Sequence, residues 1–82
     1  MVSRQHIVTL LSRPGCHLCD DARTVVAKVC EELGVPWSEQ DITEDPDLFR
    51  QYADDVPVTL VDGAQHDLLR VSADRLRRAL TA

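Results

Sequence analysis

Two cysteines separated by two residues, Cys16 and Cys19, follow a short apolar run and the turn pair Pro14-Gly15. The run from His6 to Leu11 is rich in β-branched and apolar side chains, which predicts a buried strand ending at this turn. Beyond the cysteines, apolar residues recur at steps of three and four as far as Leu33, which predicts an amphipathic helix beginning near Cys16. Both thiols are therefore expected at a strand-to-helix junction, where free backbone N–H groups and the helix dipole favour a thiolate.

The rest of the chain predicts a regular alternation of elements. We expect Gly34 to cap the first helix and a strand to follow at Val35–Ile42. Asp45 and Pro46 should open a second helix, whose apolar face would carry Leu48, Phe49, Tyr52 and Ala53. Two strands, Pro57–Val61 and Gln65–Val71, should form a hairpin joined at Asp62-Gly63, and Ser72 should cap a last helix. The order is βαβαββα. A β-α-β start requires a right-handed parallel crossover and the hairpin adds antiparallel strands. We therefore predict the α/β thioredoxin fold, a four-stranded mixed sheet with helices on both faces.

Size and charge restrict the function further. The 82 residues fit one domain spanning 1–82, and a net charge of −5 argues against nucleic acid or an anionic membrane as partner. No apolar stretch approaches the length of a membrane helix, and nothing at Met1 to His6 resembles a cleavable leader. We therefore expect a cytoplasmic monomer. Because cytoplasmic thiols are kept reduced, three cysteines then indicate catalysis or a metal rather than structural disulfides.

The dithiol is predicted to act in thiol–disulfide exchange. Cys16 should be the attacking nucleophile because it lies at the helix start, closer to solvent, and Cys19, one turn into the helix, should be the resolving thiol. The alternatives are an incidental pair of cysteines or a zinc site that includes His17 or Cys30, but structural zinc normally needs four convergent ligands and the chain has one such pair. Cys30 falls in the apolar stripe of the same helix and is predicted to be a buried core thiol. We expect no bound metal.

The chain resembles a glutaredoxin, and in particular the short bacterial glutaredoxin-like proteins. The matching segments are Ile7–Leu11, Pro14–Cys19, Asp41-Ile42 leading to Asp45–Leu48, and Val56–Val58. The resemblance implies a cis-proline at Pro57 facing the dithiol, with the Val56 main chain free to pair with an extended substrate. It also implies that Arg13 stands where a basic residue contacts a glutathione carboxylate. No tightly bound cofactor is implied, and electrons would come from glutathione, another small thiol or a thioredoxin-type reductase.

The motif departs from the family at the two residues between the cysteines. Glutaredoxins commonly carry Cys-Pro-Tyr-Cys, whereas this chain has His17 and Leu18, and it lacks the paired glycines that help to hold glutathione. We therefore predict a dithiol–disulfide oxidoreductase that reduces protein disulfides or small mixed disulfides. The alternative is a non-catalytic thioredoxin-fold module that senses redox state or holds a metal for a partner protein.

Overall fold

The computed structural model describes residues 5–81 and has the predicted order of elements. The strands are β1 (Val8–Ser12), β2 (Trp37–Asp41), β3 (Val58–Val61) and β4 (Ala64–Leu68), and the helices are α1 (His17–Leu33), α2 (Pro46–Tyr52) and α3 (Ala73–Thr81). A short 3-10 turn at Ile42–Glu44, which the sequence did not predict, joins β2 to α2. The prediction that Met1 to His6 is not a cleavable leader concerns mostly residues outside those that the structure describes. No helix within 5–81 is long and apolar enough to cross a membrane.

The four strands form one mixed sheet in the order β2-β1-β3-β4. Strand β1 pairs with β2 in parallel and with β3 in antiparallel orientation, and β4 pairs antiparallel with β3. The ends of β1, β2 and β4 therefore meet the start of β3 at one edge of the sheet, and α1 begins at that edge because it follows β1. Four connections that are distant in sequence meet at this edge: those that follow β1, β2 and β4, and the one that precedes β3.

Two buried clusters hold the helices on the sheet. The first joins Val8 of β1 to α1 and α3, and its buried members are Val8, Val26, Val29, Cys30, Leu76 and Leu80. The second contains Leu11, Cys19, Ile42, Val56 and Val58, with Leu48 and Tyr52 of α2 packed against it. Val8 and Leu11 point to opposite faces because side chains alternate along a strand. The predicted helices on both faces of the sheet are thus present, and Cys30 is a buried core thiol as predicted.

Local capping explains where the helices begin and end. The Asp45 carboxylate accepts hydrogen bonds from the backbone N–H groups of Asp47 and Leu48, and the Ser72 hydroxyl accepts one from Arg75 N–H. At the end of α1, Gly34 adopts a left-handed conformation with φ of 69°, which glycine reaches without steric cost. The caps read from the sequence are confirmed.

Two expectations were wrong in detail. Phe49 was placed on the apolar face of α2, but its side chain is 43% exposed, whereas Leu48 and Tyr52 face the core. The last strand was expected to reach Val71, but β4 ends at Leu68 because Leu69 leaves the extended region with φ of 64°. A hydrogen bond from the Leu69 N–H to the Pro57 carbonyl holds Leu69 in this conformation, and the conformation shapes the surface beside the dithiol.

Candidate active site

Cys16 and Cys19 meet at the start of α1 in different environments. Cys16 is the N-cap residue, and its sulfur accepts a hydrogen bond from the backbone N–H of Cys19 over 3.2 Å. The start of the helix also places free backbone N–H groups and the positive end of the helix dipole beside this sulfur. Cys16 is half-buried, whereas Cys19 is fully buried, so the predicted order of solvent access is confirmed.

The Cys19 thiol is held in its neutral form. Burial, followed by the side-chain hydrogen bond with Cys16, raises the pKa of Cys19 to about 11. The charge of Cys16 acts in the same direction, while the backbone N–H of Arg13 and the charge of Arg23 oppose it. At neutral pH the buried sulfur is therefore a thiol beside the partly exposed one. The two sulfurs therefore differ in exposure, and the buried one keeps its proton.

The start of β3 lies against the same pair of sulfurs. The Val56-Pro57 peptide bond is cis, as the family resemblance implied. The Val56 side chain packs in the cluster that contains Cys19, against which Cys16 also packs. The backbone N–H and C=O of Val56 form no backbone hydrogen bond within residues 5–81. These unpaired main-chain groups, which we call the Val56 ledge, therefore adjoin the dithiol.

The charged residues nearest in sequence form no side-chain hydrogen bond with Cys16 within the described residues. Both Arg13 and His17 are exposed, and within the described residues neither side chain forms a hydrogen bond with the Cys16 sulfur. Arg13 acts instead through its backbone N–H, which lowers the pKa of Cys19. The role of the Arg13 side chain in binding substrate remains a prediction. In the part of the chain that is described, no three His, Cys, Asp or Glu side chains form a group that could hold a metal ion.

A charged network that the sequence did not predict is centred on Arg23, whose charge is the weaker of the two influences that lower the pKa of Cys19. Arg23 lies one helical turn beyond Cys19, and its guanidinium binds Glu39 through two hydrogen bonds of 2.6 and 2.7 Å. A third bond of 2.8 Å joins Arg23 to Asp20, and the buried Ser12 hydroxyl donates to Glu39 over 2.6 Å. The i,i+4 spacing of Cys19 and Arg23 was visible in the sequence. The partnership with Glu39 was not, because it depends on how β2 and α1 are arranged around β1.

The network predicts an acid-dependent loss of stability. The hydrogen bond with Arg23 is the largest influence on Glu39 and holds its carboxyl pKa below the ordinary 4.5, with the Ser12 hydroxyl acting in the same direction. A lowered folded-state pKa stabilises the fold above the unfolded-state pKa, and this stabilisation disappears as pH falls through the folded-state value. We expect Glu39→Gln to reduce the free energy of unfolding by about 1 kcal/mol at neutral pH.

Urea unfolding at neutral pH and near pH 3 measures this effect, because the deficit should shrink on acidification. Glu44→Gln is the matched control, since Glu44 is exposed and forms no ion pair within residues 5–81. A deficit of equal size at both pH values would show that the Glu39 carboxylate does not stabilise the fold through its charge.

Comparison with known proteins agrees with this geometry. The family model described as a glutaredoxin-like domain (DUF836) matches residues 7–81. The chain belongs to this family. An uncharacterised protein of Mycobacterium tuberculosis is 35% identical to this glutaredoxin-like domain in an alignment 75 residues long, which covers 85% of this chain and 77% of that protein.

Solved structures place the glutaredoxin-like domain among thioredoxin folds. A structural-genomics target from X. campestris, XcR50, is 30% identical, with a TM-score of 0.73 over 89% of this chain and 93% of that one. Fasciola hepatica thioredoxin is 20% identical and superposes with a TM-score of 0.68 over 94% of this chain and 79% of its own. The second likeness shows the fold alone. The predicted thioredoxin fold and glutaredoxin-like family are confirmed.

Proposed function

We propose that this glutaredoxin-like domain is a dithiol–disulfide oxidoreductase in which Cys16 attacks the substrate and Cys19 releases it. The observation that carries the proposal is the unequal environment of the two sulfurs. Cys16 lies at the helix N-terminus and accepts a backbone hydrogen bond, whereas Cys19 is buried and its pKa is raised to about 11. A structural pair of cysteines would have no need of this asymmetry.

In the first step, one half of the substrate becomes bound to the protein through its sulfur. The Cys16 thiolate attacks one sulfur of a substrate disulfide, and a protein–substrate mixed disulfide forms as the substrate S–S bond breaks. The other substrate sulfur leaves as a thiolate and takes a proton from solvent. The unpaired main chain of Val56 supports this step, since it can hydrogen-bond an extended segment beside the reacting sulfurs.

The second step is coupled to the first through the pKa of Cys19. Two of the influences that raise this pKa, the hydrogen bond and the charge, come from Cys16, and bond formation removes the negative charge of the Cys16 sulfur. Burial is then the one remaining influence of those named that raises the pKa of Cys19, and the Arg13 N–H and the Arg23 charge oppose it. Cys19 therefore loses its proton more readily. Its thiolate attacks the Cys16 sulfur, the second substrate thiolate leaves, and the Cys16–Cys19 disulfide forms.

One turnover passes two electrons from the dithiol to the substrate, so the protein must be reduced again. Two molecules of a small thiol, which leave joined as a disulfide, or the dithiol of a thioredoxin-type reductase would supply these electrons. Protein disulfides and small mixed disulfides are the proposed substrate classes.

A coupled turnover assay tests the proposal. Catalytic amounts of the protein should reduce insulin or a small mixed disulfide when glutathione with its reductase, or thioredoxin reductase, supplies electrons. Activity with one donor and not the other identifies the donor class. Stoichiometric oxidation of the dithiol without turnover under any donor would contradict the enzyme and favour a redox sensor.

A further inference from the structure

A small cavity of about 290 Å³ lies beside the dithiol, between the first turns of α1 and the segment that follows β4. Its apolar lining residues are Leu18, Ala22, Val25, Leu69 and Val71. Leu18 is one of the two residues between the cysteines, and the cysteines themselves do not line the cavity. A volume at the low end of ligand pockets suits one side chain better than a large ligand.

Leu69 has a backbone conformation that is unfavourable for a residue with a side chain. Its φ of 64° lies in the left-handed region, where a side chain with a Cβ is disfavoured. The Arg70 N–H donates to the Leu68 carbonyl over 2.6 Å, which closes a tight turn around Leu69. Glycine would suit this position better on conformational grounds.

The conformation of Leu69 is linked to the Val56 ledge. The Leu69 N–H donates to the Pro57 carbonyl over 2.7 Å and lies 3.2 Å from the Asp55 carbonyl oxygen. These bonds tie the cavity wall to the cis-proline segment on which the dithiol packs. The Leu69 side chain is nevertheless 46% exposed, and Leu18 is 40% exposed. A strained residue with an exposed apolar side chain gains little for stability, and such residues gather at ligand contacts.

The charges of the cavity do not select an anionic tripeptide. Its two charged lining residues, Asp21 and Arg70, are of opposite sign and form no ion pair within residues 5–81. Glutathione carries two carboxylates and one ammonium group, and among the lining side chains only Arg70 could pair with a carboxylate and only Asp21 with the ammonium group. An apolar side chain loses no hydrogen bonds on entering such a wall and gains from burial.

We propose that this cavity binds an apolar side chain adjacent to the reactive cysteine of a protein disulfide, so that the domain prefers protein substrates with such a neighbour. The proposal rests on the exchange activity proposed above. During the first step, the substrate chain lies along the Val56 ledge while the neighbouring side chain enters between Leu18 and Leu69. Burial of the side chain strengthens the encounter before Cys16 attacks.

Single-turnover oxidation of the reduced protein tests the proposal without an external reductant. The probes are symmetric disulfide dimers of two short peptides, one with leucine on both sides of its cysteine and one with glycine. Each reaction converts the dithiol and one peptide disulfide into the Cys16–Cys19 disulfide and two peptide thiols, so the electrons balance. We expect the wild-type rate constant to be about tenfold higher for the leucine peptide, the effect of partly burying one leucine side chain.

Leu69→Gly should reduce this preference to about one while leaving the thermal unfolding temperature equal or higher, because glycine relieves the positive φ. A purely structural role for Leu69 would not produce that combination. Ile7→Ser is the matched control, since Ile7 is 52% exposed and precedes β1 at the opposite end of the sheet. The control should retain the tenfold preference.

Equal wild-type rates for the two peptides would overturn the cavity proposal and leave the exchange activity intact. Faster reaction with glutathione disulfide than with the leucine peptide would also overturn it, since the cavity would then favour the charged tripeptide. Failure of every disulfide to oxidise the dithiol would instead contradict the proposed function.

Discussion

Replacement of Cys16 by serine is expected to abolish disulfide reduction, with turnover lower by at least about a thousandfold. A serine hydroxyl stays protonated at neutral pH and does not form the S–S bond on which the exchange depends. The fold should be retained, because Cys16 is only half-buried and a serine oxygen can accept the Cys19 N–H as an N-cap. The coupled assay with insulin or a small mixed disulfide measures the loss.

Cys30→Ala is the control for removal of a thiol. Cys30 is buried in the cluster of α1 and α3, apart from the cluster that contains Cys19. We expect this variant to lose some stability through the vacated volume but to keep its turnover number. Full activity of Cys16→Ser would assign the attack to another sulfur, and equal losses in both variants would indicate a general effect on folding.

Cys19→Ser is expected to stop the reaction at the mixed disulfide. With a peptide disulfide and no other thiol, the wild-type protein should end as the internal disulfide and release two peptide thiols. The variant should retain one peptide bound to Cys16, because the sulfur that would displace it is missing. Intact mass and peptide mapping distinguish these products. Retention of a peptide on Cys19 in Cys16→Ser at a comparable rate would reverse the assigned roles.

The pH dependence of the wild-type second step supplies an independent measurement. Burial raises the pKa of Cys19 to about 11 in the reduced protein, so little thiolate is present at neutral pH. Below the pKa that applies in the mixed disulfide, the thiolate fraction grows about tenfold per pH unit. Decay of the mixed disulfide, followed by acid quenching, should accelerate accordingly. A rate independent of pH across the neutral range would show that deprotonation of Cys19 does not limit resolution.

The sequence predicted well the features that depend on close neighbours. The turn at Pro14-Gly15, the cap at Asp45 and the apolar period of α1 act over a few residues, and the structure confirms the elements they specify. The end of β4 was predicted wrongly because the conformation of Leu69 depends on a bond to Pro57, twelve residues earlier. A single sequence carries no local signal of such a bond.

The sequence by itself determined the βαβαββα order and the position of two thiols at a helix start, because periodicity, turn residues and caps are local. Only the tertiary structure decided which distant segments join them. The strand order β2-β1-β3-β4 brings the Val56 ledge and Leu69 to the edge where Cys16 lies. Burial, which is the largest influence on the pKa of Cys19, and the Arg23–Glu39 pair arise from the same packing. These are interactions between segments tens of residues apart, and the chain specifies them only through the free energy of the whole fold.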